Sequence, residues 1–245
     1  FYFIGVWLRA FRWQILLNPL KKLPIPRLFQ VVAIGYMGNN VYPARAGELL
    51  RAVLLKQKDQ ISISASLATI VVERLFDALV IMGLVLLNLS QLTALPSAQS
   101  YIGAIRAVAT WGAVIFLALF ALFLALVLFP KPTQKALDWV INHLVIARLR
   151  KGISDFLTRF IEGLSSLRSA GETLKVLLFS IAIWTCETGL YWGVMQAMGI
   201  QLSFMSLMLI NGVVNLVLLI PAAPGGLGTF DAAGKAMLQV FGVGS

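Results

Sequence analysis

One cysteine, Cys186, and one histidine, His143, are all that the chain has of either residue. The first excludes an intrachain disulfide and a cysteine-built zinc site. His143 lies in a mixed polar and apolar helix outside the long apolar runs, where a solvated or snorkelling side chain is the reading. Charge is scarce too. Only 12% of residues are Asp, Glu, Lys or Arg, against about a quarter in soluble domains. No Lys-Ser or Lys-Thr follows Gly225, Gly226 and Gly228, so the stretch only superficially resembles a phosphate loop. Neither a metal nor a cofactor is expected.

What the chain has in abundance is apolar surface: 59% hydrophobic residues and a mean hydropathy of +0.87. Ala107–Phe129 and Thr188–Phe230 carry no charge, and each exceeds the roughly 20 residues of one helical span. The expectation is an integral membrane protein. Helices follow, because lipid offers the backbone no hydrogen-bond partners and the alternating pattern of a membrane β-barrel is absent. The net charge of +10 then reads as cytoplasmic loops beside anionic lipid rather than as a nucleic-acid footprint.

In chain order, Phe1–Leu17 is an apolar segment with Arg9 and Arg12, and it runs into the basic connector Lys21, Lys22 and Arg27. It has no signal-peptide n-region, so it reads as part of a transmembrane helix, with truncation expected at both ends of the chain. Residues 28–58 read as a re-entrant pair of half-helices. Pro43 breaks the first at Tyr42, and basic residues at both outer ends put those ends on the cytoplasmic side. Ser62 or Ser64 then caps a long helix to about Leu89.

A span from about Ile102 to Phe129 completes the first half, residues 1–129. Residues 131–172 read as a cytoplasmic segment, in which Ile153, Phe156, Leu157, Phe160, Ile161, Leu164 and Leu167 recur at helical spacing opposite charged residues. Such a helix suits the membrane surface or the protein's own spans. The second half, 174–245, contains Val176–Met198, Phe204–Ile220 and Thr229–Val243, with a broken helix at 221–228. The fold class is therefore an all-α polytopic membrane protein, a single domain of two inverted halves. Each half has a broken-helix hairpin, and an amphipathic helix lies between them. Paired breaks of this kind point to a transporter's central site.

The chemistry concentrates between Tyr36 and Asp77. Arg45, Glu48, Arg51, Glu73, Arg74 and Asp77 stand in or beside apolar sequence, three basic and three acidic. Ionisable groups at membrane depth mark pathways or relays. Arg45 and Arg51, with the amide-rich start of a half-helix after Asn40, suit a phosphate. Glu48, Glu73 and Asp77 suit a cationic or sugar headgroup, or a coupling proton. The alternative is that these charges pair among themselves and hold helices in register. Glu187, alone in its span, is a functional candidate or a hydrogen-bonding residue; Gly225, Gly226 and Asp231 flank the second break, with Asp231 and Lys235 four apart as a local pair.

The run N-x-x-P-x-R-x-G-E-x-x-R (Asn40, Pro43, Arg45, Gly47, Glu48, Arg51), then E-R-x-x-D (Glu73, Arg74, Asp77) and P-G-G-x-G (Pro224, Gly225, Gly226, Gly228), resembles the lysylphosphatidylglycerol synthase transmembrane-region family. The resemblance implies a multi-pass prokaryotic inner-membrane domain that, in bifunctional synthases, moves an aminoacylated lipid to the outer leaflet. Some archaeal relatives are joined to glycosyltransferases acting on polyprenyl carriers. This chain has no aminoacyl-transferase domain, so lipid aminoacylation is not assigned to it.

The expected function is translocation of a polar, phosphate-bearing lipid headgroup, without covalent chemistry. The alternatives are a membrane component of a glycosyl- or aminoacyl-transferase and a non-transporting scaffold. Expected partners are a membrane lipid of anionic or polyprenyl-phosphate type and the membrane surface, through the basic amphipathic helix. A separate synthase or glycosyltransferase and a second copy of the chain are further candidates, and nucleic acid is not.

Overall fold

Serine caps set the starts of three helices, the two longest among them. Ser62, Ser169 and Ser203 stand in extended conformation, and each side chain accepts the amide hydrogen of the residue three on, satisfying a donor that the first helical turn leaves open. The computed structural model describes residues 1–42, 46–90, 147–164, 167, 169–218 and 226–243, with scattered positions between 110 and 139. Pro43, Arg45, the stretch from Gln91, His143, much of the expected span to Phe129 and Pro221–Gly225 lie outside the described residues.

The described residues are helical, without a strand. The helices are α1 (Tyr2–Leu17), α2 (Ile25–Val41), α3 (Ala46–Asp59), α4 (Ile63–Asn88), α5 (Ala147–Gly163), α6 (Ala170–Ala197), α7 (Phe204–Val217) and α8 (Thr229–Val240). Helix α4 is central and touches α1, α3, α5, α6 and α7, while α1 also packs on α2 and α6, and α8 packs on α7. Trp13, Leu16, Leu28, Leu55, Ala68, Val72, Phe76 and Val176 form the main core.

Helices α2 and α3 form an antiparallel hairpin. Tyr42, which precedes Pro43, is extended and ends α2, as the proline ring requires of its predecessor. The two helices meet backbone to backbone. A methyl group on Gly47 would collide with the carbonyl oxygen of Gly35, and one on Gly38 would lie 2.9 Å from Gly47 Cα; small residues allow this approach. At the open end Arg27 pairs with Asp59 at 3.4 Å, and Lys21 Nζ donates to the Asp59 carbonyl at 2.8 Å. The basic connector and the ends of α2 and α3 therefore share one end of the bundle. At 17 and 14 residues, these helices are about 25 and 21 Å long, short of the ~30 Å hydrocarbon core.

Of the described helices, α6 alone combines the length and apolarity of a span by composition. Helix α4 is nearly as long at 26 residues, and it carries Glu73, Arg74 and Asp77 in its middle. The amphipathic stripe of α5 divides. Leu164 and Leu167 just beyond its end are buried in the main core, and Gly163 sits where a methyl group would come within 2.5 Å of the Ala65 carbonyl oxygen. Leu149 and Phe156 are exposed. The end of the stripe thus packs on the protein itself.

Candidate functional site

A charge buried without a partner is too costly to survive as an ion, so the charges of α4 show which helices must surround them. Glu73 and Asp77, four residues apart, share a face toward α1. Arg74, rotated by about 100° from Glu73, reaches toward α3.

Arg12 of α1 is the hub. Its Nη1 donates to Asp77 Oδ1 at 2.6 Å and to Ser180 Oγ of α6 at 2.8 Å, and its Nη2 donates to Asp77 Oδ2 at 3.3 Å. The same Nη2 lies 3.7 Å from Glu73 Oε1. Trp184 Nε1 of α6 also donates to Asp77 Oδ1, at 3.0 Å. On its other side, Glu73 Oε2 meets Arg51 Nη2 of α3 at 2.9 Å. The Arg51 guanidinium lies over the Trp13 ring, 3.8 Å from Cζ to the centroid, a cation–π contact strengthened by desolvation. Trp13 is fixed in turn by donating Nε1–H to Thr69 Oγ1 at 2.9 Å.

Two further ion pairs border this group. Arg74 Nε lies 2.8 Å from Glu48 Oε1 of α3, and Arg74 Nη1 donates to Asp77 Oδ2 at 3.5 Å. Arg9 Nη2 of α1 donates to Glu187 Oε2 of α6, and the Arg9 guanidinium lies over the Tyr36 ring of α2, 5.4 Å from the centroid. Four arginines therefore face four carboxylates, and the network is neutral.

Burial is uneven. The side chains of Arg12 and Glu73 are 2% and 1% exposed and those of Arg51 and Asp77 8% each, against 35% for Arg74, 22% for Glu48 and 36% for Glu187. Even in the sealed part the donors are not saturated. Arg12 Nε and Arg51 Nε lack hydrogen-bond partners among the described residues. Counted at ~1.5 Å per residue, Arg9, Tyr36 and Arg74 lie about 12 to 17 Å from the basic end of the bundle. A polar line continues from α6 into α7, where Asn211 Nδ2 donates to Thr188 Oγ1 at 3.1 Å and Asn215 Nδ2 donates to Asn211 Oδ1 at 2.8 Å.

Of the residues singled out from sequence, the structure brings together Glu48, Arg51, Glu73, Arg74 and Asp77, and places Glu187 beside them through Arg9 and Trp184. Asn40 is exposed on the last turn of α2; its neighbour Asn39 faces Gly47 of α3. Arg45 and Gly225 lie outside the described residues. Gly226 and Asp231 stand apart, at the start of α8. There Asp231 Oδ2 accepts from the Gly228 amide at 3.2 Å, so its bond is a helix cap rather than the local pairing read from its spacing to Lys235. The main omissions are Arg9 and Arg12. Two arginines three apart inside an apolar run were the available signal.

Every carboxylate of the network is engaged by an arginine.

The chain is similar to proteins of methanogens and haloarchaea. A UPF0104 membrane protein of Methanothermobacter thermautotrophicus is 26% identical over 96% of this chain and 70% of its own length. A UPF0104 membrane protein of Methanocaldococcus jannaschii is 26% identical over 80% of the chain and 76% of its own length. The glycosyltransferase AglD of Haloferax volcanii is 24% identical over 82% of the chain but only 36% of its own length. No solved structure matches. The model of the lysylphosphatidylglycerol synthase TM region matches residues 1–245, and the chain, a membrane protein, belongs to that family.

Proposed function

We propose that this domain moves the polar headgroup of a phosphate-bearing lipid across a prokaryotic inner membrane, as a multi-pass bundle of two inverted halves in which α2 and α3 form a re-entrant hairpin. One observation carries the reading: a neutral network of four arginines and four carboxylates inside the helix bundle, sealed at its centre and partly exposed at Arg74–Glu48 and Arg9–Glu187. Apolar packing would hold the helices at least as well as buried ion pairs do, and ionisable groups at membrane depth are functional by default. A headgroup carried along exchangeable ion pairs meets a partner for each charge, while its acyl chains stay in lipid. The short hairpin supports the same reading, since it opens the bilayer's thickness to a polar path.

The test is headgroup exposure to an impermeant reagent in proteoliposomes holding the full-length protein, across several anionic lipids. Acceleration that Arg74→Ala abolishes is the expected result; no acceleration with any lipid overturns it. A second reading, a membrane component of a glycosyltransferase, rests on the similarity to the protein named glycosyltransferase AglD. It predicts that a deletion strain lacks a glycosylated product instead of holding a lipid in the wrong leaflet.

A further inference from the structure

A cleft of about 50 Å³ lies between α1 and α6, lined by Gly5, Arg9, Tyr36, Cys186, Glu187 and Leu190 among others. Tyr36 enters it from α2. Its hydroxyl makes no hydrogen bond among the described residues, and the Arg9 guanidinium lies over its ring, 5.4 Å from the centroid. A phenol without a partner in a strongly polar corner is a free donor, and the groups around it define what it can serve. One is the guanidinium of Arg9 on α1, whose carboxylate, Glu187 of α6, is partly exposed.

This is unlike the sealed part of the network. Asp77 is gripped by Arg12 and Trp184, and Glu73 by two arginines, so neither can leave without stranding a buried charge. Glu187 is partly exposed and held by Arg9 alone, so it can swing away. When it does, Arg9 presents a planar fork beside the Tyr36 O–H. Guanidinium forks match the oxygens of a phosphate bidentately. Trading a carboxylate for a phosphate keeps the charge type on the arginine, so the exchange is close to balanced, as a carrier that must also release its cargo needs. At its present size the cleft holds a water molecule or two, so the Arg9–Glu187 pair must part before a phosphate enters.

We propose that Arg9 and Tyr36 form the binding station for a lipid phosphate, with Glu187 as the displaceable counter-ion that holds Arg9 between cargoes. The proposal rests on the translocation reading for its choice of a lipid source, and it assigns the phosphate to a place that the hairpin-tip reading of Arg45 and Arg51 did not.

The test is binding of short-chain phosphatidic acid to the full-length protein in detergent, measured by native mass spectrometry, with inorganic phosphate and short-chain diacylglycerol as separate arms. Arg9→Gln is expected to weaken phosphatidic acid binding about 10-fold and Tyr36→Phe about 5-fold, the loss of a charged and a neutral hydrogen bond. Glu187→Gln is expected to tighten it about 3-fold by removing a competitor, a gain that misfolding does not imitate. Diacylglycerol binding is expected to ignore all three substitutions. Unchanged affinity in Tyr36→Phe and Glu187→Gln overturns the site, and inorganic phosphate binding as tightly as phosphatidic acid overturns the lipid source. Headgroup exposure measured on the same proteins separates the two claims: binding that follows the expected order without transport removes the translocation reading and leaves the site, whereas transport with unaltered binding in the variants removes the site and leaves the reading.

Discussion

The sealed and the open parts of the network are made from the same residue types and differ in what they can give up. Arg12, Asp77, Glu73 and Arg51 are buried, and each is bound from at least two sides, by a second charge, by Ser180 or Trp184, or by the face of Trp13. Arg74–Glu48 and Arg9–Glu187 are partly exposed, with each carboxylate held by a single arginine. Ion pairs of the first kind fix helices α1, α3, α4 and α6 against one another, because parting them exposes an unpaired charge to an apolar interior. Pairs of the second kind have fewer bonds to break. Asp77 joins the two sets, accepting from Arg12 on one side and from Arg74 on the other.

The sharpest way to break the contrast is at Arg12. Arg12→Met leaves Asp77 and Glu73 short of their shared cation in a dry interior and is expected to cost about 3–5 kcal/mol, read as lost thermal stability in detergent. Replacing Arg12, Asp77, Glu73 and Arg51 together by apolar residues of similar size is expected to recover most of that stability, since such exchanges are often neutral or better, while headgroup exposure stays at the protein-free rate. Recovery of transport in the fourfold variant would mean that the sealed part has no role in the path. Next in size is Gly47→Ala. Its methyl group meets the backbone of Gly35, which cannot turn aside as a side chain can, and overpacking of this kind costs about 1–3 kcal/mol. Gly83→Ala on α4, which meets nothing within 4 Å, is the control and is expected to cause no loss of thermal stability.

Much of this was legible in the sequence where the physics is local. Pro43 places the end of α2 at Val41, Ser62 starts α4, and a spacing of four puts Glu73 and Asp77 on one face. Grouping Glu48 and Arg51 with Arg74 and Glu73 followed from folding the hairpin against the next helix, which a short connector nearly forces. What was not legible depends on distant partners. Arg12 and Asp77 are 65 positions apart and Arg9 and Glu187 are 178 apart, and no local rule says that α1 lies against α6. The two arginines of α1 stand in a segment read as part of a transmembrane helix, and nothing local gave them a role. For α5, periodicity showed a stripe but not its partner; the burial of Leu164 and Leu167 against α4 depends on the tertiary packing.

The smallest expected effect on stability falls at Glu48, and there the comparison is most discriminating. Glu48→Gln removes one charge from a pair whose arginine keeps Asp77 as a second partner at 3.5 Å, and both members of the pair are partly exposed. The loss should be about 1–2 kcal/mol, that of one charged hydrogen bond. Its effect on transport should be out of proportion to that figure. With Glu48 neutral, Arg74 loses the counter-ion that lets it release a phosphate, so headgroup exposure is expected to slow while binding of short-chain phosphatidic acid tightens. A merely structural pair would behave otherwise, weakening binding and transport together in step with stability. Measuring all three on one preparation therefore decides whether Glu48 is a displaceable counter-ion or only another brace between α3 and α4.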